Sequence, residues 1–299
     1  MAIGLRRRVP ATLTELLAPD GVVRVPGTWD GMTARIAAQA GFPAVFASGL
    51  AIAASMGLVD SDIYTKADVL YALGLMVRAA DIPVIADGDT GFGTAVNVMY
   101  MVRDMERTGV SGVAIEDQQS PKRCPMLPGK SMPLVSVAEA VGKIKAAVEA
   151  RSSKEFVIIA RSDAGTAEEM HRRADAYAAA GADMFFPNAV RREVFPPEEW
   201  ARCHARIGLP LVAAPVPGGW QEAEFTPEVM ASLGVKIEWL AAYPLYAATS
   251  ALRSVMARMA SGLPLSELLD DGFGYDDLMK IVGYEEIASI QSRFVPNAG

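Results

Sequence analysis

The 299-residue sequence places its reactive side chains in short polar clusters, each at the end of an apolar run. Asp87-Gly88-Asp89-Thr90-Gly91-Phe92-Gly93 sets two carboxylates one residue apart before a glycine turn. Such a pair suits a hard, oxygen-preferring cation, Mg2+ or Mn2+. Glu116-Asp117-Gln118 ends the next run, and Arg161-Ser162-Asp163 the one after. The arginine offers a forked donor to a substrate carboxylate or phosphonate. Ser48-Gly49-Leu50 reads as a small-residue loop with open amides. Cys124 lies in Ser120-Pro121-Lys122-Arg123-Cys124-Pro125, where two adjacent cations favour a reactive thiol. Cys203, His171 and His204 fall in helical stretches away from these clusters and read as packing or surface residues. Two histidines without clustered spacing argue against a histidine-based zinc site.

Eight apolar runs position these clusters: Val22–Pro26, Ala44–Ser48, Pro83–Asp87, Gly112–Glu116, Phe156–Arg161, Asp183–Phe186, Pro210–Ala214 and Val235–Ala241. Most are continuous rather than alternating, the pattern of strands covered on both faces. Helical stretches separate them, among them Gly31–Ala40, Lys66–Ala80, Ala95–Thr108, Val137–Ala150, Ala167–Ala180 and Pro227–Leu233. Several end in a glycine, as Gly109 and Gly181 do. Eight strands alternating with helices predict a (β/α)8 TIM barrel, an α/β fold in one domain over residues 1–299. A helical extension is expected from about residue 264 to 299. The alternative, an open doubly wound sheet, calls for a glycine-rich dinucleotide turn after the first strand, and none follows Val25. In a parallel barrel the polar strand ends gather on one rim, where catalytic residues sit.

The composition narrows the partners. A net charge of −7 argues against a nucleic acid, which needs a basic face. Ile36–Val59 carries no charge, but Gly41, Pro43 and Gly49 interrupt it, so it reads as a helix end, a turn, a buried strand and a loop rather than a membrane span. Two cysteines and an Arg-bearing start, Met1–Leu17, without the apolar stretch of a signal peptide predict a cytoplasmic protein.

Pro26-Gly27-Thr28-Trp29-Asp30, Ala47-Ser48-Gly49, the Asp87–Gly93 turn, Glu116-Asp117-Gln118, Pro121-Lys122-Arg123-Cys124 and Ile159-Ala160-Arg161-Ser162-Asp163-Ala164 together resemble the isocitrate lyase/phosphoenolpyruvate mutase superfamily. The likeness runs from about residue 22 to 252 and is nearest the methylisocitrate lyase branch. It implies a barrel with C-terminal helices swapped between subunits, usually a homotetramer, acting on an α-keto acid with Mg2+. Carried over by motif, Asp87 and Asp89 hold the metal with Glu116 nearby. Ser48, Gly49 and Leu50 bind the keto-acid carboxylate and oxygen, Arg161 pairs with that carboxylate, and Cys124 is the general acid/base.

Four positions depart from the pattern. Pro125 and Met126 stand where the lyase loop has Gly-His, Asn188 where a glutamate is usual at the sixth strand end, and Ala214, followed by Pro215, where an asparagine is usual at the seventh. The keto-acid half of the site is thus expected intact, with Asn188 as a substrate ligand, and the other half less polar. The expected activity is a Mg2+-dependent carbon–carbon lyase. It cleaves a substituted malate or methylisocitrate-like 2-hydroxy acid to pyruvate or glyoxylate plus a carboxylic acid. The resemblance also leaves open a phosphonopyruvate mutase or hydrolase, which Ala95-Val96-Asn97-Val98 resembles, an oxaloacetate-type decarboxylase, and a non-catalytic ligand-binding barrel.

Overall fold

The structure, a computed structural model, describes residues 12–124, 132–268 and 272–295. Pro125 and Met126 of the altered cysteine loop lie outside these residues. Eight parallel strands close into a barrel in chain order: β1 (Val23–Thr28), β2 (Val45–Ala47), β3 (Val84–Asp87), β4 (Gly112–Glu116), β5 (Val157–Ser162), β6 (Met184–Pro187), β7 (Leu211–Ala213) and β8 (Val235–Leu240). β8 returns to β1 through Val23 opposite Ile237 and Pro26 opposite Leu240. The expected barrel is therefore present, with strand limits within one or two residues of those read from the sequence.

The uninterrupted apolar runs follow from two packed layers. Phe46, Ile85, Ile159, Val212 and Ile237 fill the barrel interior, while Val45, Ala47, Ile158 and Ala160 point outward to the helices. Both faces of each strand are thus buried. Fully burying one such side chain stabilises by about 1.5–3 kcal/mol. At the upper end of the interior, Phe46 stacks on Trp239 at 4.2 Å between ring centres, and Phe186 meets the same indole edge-on at 5.0 Å. The lower end is plugged by α1 (Leu13–Leu17), whose Leu13 joins the interior cluster.

The outer layer comprises α2 (Gly31–Gln39), α3 (Gly49–Ser55), α4 (Lys66–Ala79), α5 (Ala95–Thr108), α6 (Val137–Ala150), α7 (Ala167–Ala179), α8 (Pro197–Ile207), α9 (Trp220–Glu224), α10 (Pro227–Ser232) and α11 (Tyr243–Ala260). Gly109 and Gly181 follow α5 and α7 in the left-handed conformation, φ +95° and +96°, as the helix–glycine–strand pattern predicts. Ile36–Val59 corrects one expectation. After β2 the chain forms the helix α3, not a loop, because Ser48 caps its first turn by accepting from the Ala51 amide. No helix among the described residues is long and apolar enough to cross a membrane.

The tail forms α12 (Tyr275–Val282) and α13 (Tyr284–Phe294), broken at Gly283. Gln39 of α2 donates to the Ile281 carbonyl at 3.2 Å, and Arg35 reaches the Val282 carbonyl, so α2 satisfies the end of α12. None of α11, α12 and α13 has a fully buried residue in the single chain.

Candidate active site

The carboxyl ends of the strands surround one cavity of about 120 Å3. Its polar wall comes from the ends of β2 to β5, through Ser48, Leu50, Asp87, Glu116 and Arg161, and from the segment carrying Lys122, Arg123 and Cys124. Its other wall follows β6 to β8, with Asn188, Val190, Ala214, Val216, Trp220 and Tyr246, over a floor of Phe46, Phe186 and Trp239.

Asp87 ends β3 with its carboxylate held by two backbone amides, those of Gly49 at 3.2 Å and Asp89 at 3.1 Å. The turn that follows places Asp89 at φ +48°, a left-handed conformation that aspartate tolerates better than most side chains. There its backbone oxygen accepts the Glu116 amide at 2.9 Å, tying the ends of β3 and β4 together. The buried Asp89 carboxylate accepts the Tyr64 hydroxyl at 2.7 Å and pairs with Lys122, whose ammonium also meets Asp60 at 2.7 Å. Lys122 is itself locked by its backbone, which donates to Asp62 and accepts from Ser61, both at 2.9 Å. The segment bearing Cys124 is thereby fastened to the acidic cluster.

On the other side, Arg161 ends β5 between two carboxylates. Its Nε and a terminal nitrogen each donate to Asp163 at 3.0 Å, and its other terminal nitrogen faces Glu116 at 2.8 Å. The second Glu116 oxygen, Oε1, is buried without a hydrogen-bond partner among the described residues. Asn188 directs its amide to Asp163. Behind this layer Asp117 accepts from the Asp163 amide at 3.0 Å, Tyr177 at 2.7 Å and Arg173 at 3.1 Å. Asp117 is therefore a strut under the site, not a wall of it.

Five carboxylates, Asp60, Asp87, Asp89, Glu116 and Asp163, face two cations, Lys122 and Arg161. Burial raises Asp89, against the pull of Lys122, to about 7. It raises Glu116 well above the usual carboxylate range, against Arg161 and Lys122. For Lys122 and Arg161 the burial that would lower each pKa is outweighed by the surrounding carboxylates, so both stay charged. Tyr64 is raised by burial and then by Asp89, and remains a hydroxyl donor.

Does this donor set fit a divalent cation? No three His, Cys, Asp or Glu side chains among the described residues form a ready cage. Mg2+ does not require one, because it keeps several waters and takes one or two carboxylates. Excess negative charge, Asp87 outside any ion pair among the described residues, and the orphaned Glu116 oxygen all suit such an ion.

The structure brings Ser48, Leu50, Asp87, Glu116, Cys124, Arg161 and Asn188 to one cavity, as their sequence positions predict. It puts Gly49 and Asp89 behind the wall, where they hold Asp87 and Lys122. Ser48–Leu50 is a first helical turn whose Gly49 amide is taken by Asp87, which corrects the reading of an open loop of free amides. Cys203 is fully buried, which pushes its thiol up to about 12, and His171 pairs with Glu199 at 2.5 Å, so both serve packing. Sequence reasoning missed Asp60, Tyr64, Trp220 and Tyr246. Asp60 carried a signal, being the first charge after the uncharged run Ile36–Val59. The others carried none.

Known proteins agree with this geometry. The family model described as phosphoenolpyruvate phosphomutase matches residues 13–260. The 2,3-dimethylmalate lyase of Eubacterium barkeri is 35% identical over 288 residues, 95% of this chain and 97% of its own. The 2-methylisocitrate lyase of Shewanella oneidensis is 36% identical over 277 residues, 90% of this chain and 91% of its own. Among solved structures, a phosphoenolpyruvate phosphomutase from Streptomyces platensis subsp. rosaceus superposes with a TM-score of 0.86 at 33% identity, covering 96% of this chain and 99% of that one. A phosphonopyruvate hydrolase in complex with oxalate and Mg2+ superposes with a TM-score of 0.79 at 29% identity, covering 92% and 95%. The chain belongs to the phosphoenolpyruvate mutase/isocitrate lyase superfamily.

Proposed function

We propose that this protein is a Mg2+-dependent carbon–carbon lyase that cleaves a 3-substituted malate to glyoxylate, or its 2-methyl homologue to pyruvate, plus a carboxylic acid. The observation that carries this reading is Cys124 at the wall of the cavity that also holds Asp87, Glu116 and Arg161. A thiol there supplies the proton that a departing carbanion needs. The two lyases named above, similar over nine-tenths or more of this chain, support it.

In this mechanism Asp87 would hold the metal at the cavity wall with Glu116 beside it, and Asp89, behind the wall, would add negative charge and hold Lys122. When bound, Mg2+ polarises the 2-oxygen as a Lewis acid. Arg161, Ser48 and Leu50 orient the carboxylate next to it. Glu116 Oε1 accepts the 2-hydroxyl proton. The C2–C3 bond then breaks, its electrons remaining on C3, and C2 leaves as the keto or aldehyde acid. Cys124 Sγ delivers its proton to C3, and the Glu116 proton restores the thiol through solvent. Apolar walls over Phe46, Phe186 and Trp239 limit water around the carbanion. The phosphonate reading draws on the likeness to the phosphomutase and the hydrolase. It assigns no role to Cys124.

We also assign the molecule to a reducing cytoplasm, as a homotetramer with swapped C-terminal helices. Leu252, Met256 and Met259 of α11 and Ile287 and Phe294 of α13 are more than half exposed in one chain. Apolar helix faces of that kind are covered by another copy in closed assemblies. The test of function is a panel of 3-substituted malates and of phosphonopyruvate, incubated with Mg2+ and with EDTA. EDTA-sensitive release of glyoxylate or pyruvate, matched by one equivalent of the second acid, is expected from the malates. Release of phosphate from phosphonopyruvate instead would replace the lyase reading.

A further inference from the structure

We infer that the C3 substituent of the substrate is an uncharged alkyl or aryl group larger than methyl, seated against the wall formed after β6, β7 and β8. This rests on the lyase reading of the same cavity. The wall consists of Val190, Ala214, Val216, Trp220 and Tyr246 over Trp239. Its side chains carry no charge, and the Tyr246 hydroxyl lies on a half-exposed residue. The Trp220 indole N–H and the neighbouring Gln221 amide both donate to the Ala189 carbonyl, at 3.2 and 3.3 Å. Trp220 is braced edge-on by Phe225 at 5.1 Å. Asn188, the one amide at the β6 end, points to Asp163. The buried donor left over, Trp239 Nε1, is neutral.

Charge leads to the same conclusion. Lys122 and Arg161 each lie between two carboxylates. Among the described residues, Arg123 is the remaining cation lining the cavity, exposed at its mouth. A malate skeleton brings two carboxylates, one for Arg161 and the metal and one for Arg123. A third, on the C3 substituent, would enter an apolar wall that carries no cation among the described residues, and a buried unpaired charge is strongly disfavoured. An alkyl group gains there about fourfold in affinity per CH2 buried.

The test uses substrate analogues that lack the 2-hydroxyl and cannot be cleaved, so it reads the wall whether or not turnover occurs. Titration calorimetry on the Mg2+-loaded protein compares 2-methylsuccinate, 2-isobutylsuccinate and the tricarboxylate 2-carboxymethylsuccinate. Isobutylsuccinate is expected to bind at least about tenfold more tightly than methylsuccinate, and the tricarboxylate no more tightly than methylsuccinate. Trp220→Ala is expected to remove the isobutyl advantage and leave methylsuccinate binding unchanged. Val216→Arg should bring in the tricarboxylate. A tricarboxylate that matches isobutylsuccinate on the wild-type protein, or no binding of any of the three, overturns the inference. Cleavage assays on the corresponding malates are the separate arm. Preferential isobutyl binding without cleavage leaves the wall assignment standing and removes the lyase reading.

Discussion

Gly49→Ala tests the acidic cluster with a single methyl group. A Cβ at this position would lie 2.9 Å from Asp87 Oδ2, 3.0 Å from Asp89 Oδ1 and 3.0 Å from the Tyr64 hydroxyl. Gly49 opens α3, so alanine gains up to about 1 kcal/mol in helix propensity. Crowding a packed site costs about 1–3 kcal/mol. Crowding outweighs the helix gain, and net destabilisation is at most about 3 kcal/mol, a fall in Tm of several degrees for a chain of this size. The effect on the metal is larger. The methyl replaces a close approach to both carboxylates, and ligand distances in metal sites tolerate only about 0.2 Å. Disturbing such supporting contacts costs about 10–100-fold in metal affinity. Calorimetric titration with Mg2+, alongside a thermal melt, should therefore show a small stability loss and a large affinity loss in the same variant. Mg2+ affinity within twofold of wild type would refute the assignment of Asp87 and Asp89 to the cation.

Three more outcomes are expected. Because the Asp89 carboxyl sits at about 7, protons compete with the metal below that pH, so Mg2+ affinity should weaken on acidification by up to about tenfold per pH unit; titrations at pH 6 and pH 8 check this, and equal affinities would contradict it. Gly27→Ala would set a Cβ 2.1 Å from the Ala241 carbonyl oxygen, where β1 closes on β8, and should destabilise by more than about 4 kcal/mol, read as loss of soluble folded protein or of the cooperative melt. Light scattering at micromolar concentration should give a tetramer mass, and a monomer mass would remove the proposal that a second copy covers α11 and α13.

The barrel was legible because its strands are covered on both faces, which writes eight continuous apolar runs into the chain. The cluster at Asp87, Glu116 and Arg161 was legible for a related reason, since polar residues ending such runs must share one rim. The division of labour among them was not. Nothing in the sequence shows that Lys122 turns from Cys124 to Asp60 and Asp89, or that Asn188 points to Asp163, because these contacts join segments 25 to 62 residues apart. Ser48–Leu50 looked like a loop because its small residues are compatible with either state. The serine cap and the docking on Asp87 decide for helix. Trp220 reaches the cavity from the short α9 after β7 and Tyr246 from the first turn of α11 after β8, where periodicity says little about direction.

The central claim is that Cys124 protonates a carbanion formed by carbon–carbon cleavage. The most direct measurement is turnover of Cys124→Ser on the malate that the wild-type protein cleaves, with oxalate binding measured in parallel and Cys203→Ala as the control. General acid catalysis of this kind is worth about 10²–10⁴-fold. Turnover should fall by that factor in Cys124→Ser while oxalate binding stays within about twofold, an expectation resting on general acid catalysis with Asp87 and Arg161 untouched. Cys203→Ala, on the buried face of α8, should keep wild-type turnover. Wild-type turnover in Cys124→Ser would contradict the account and make the thiol a structural residue of the cavity wall.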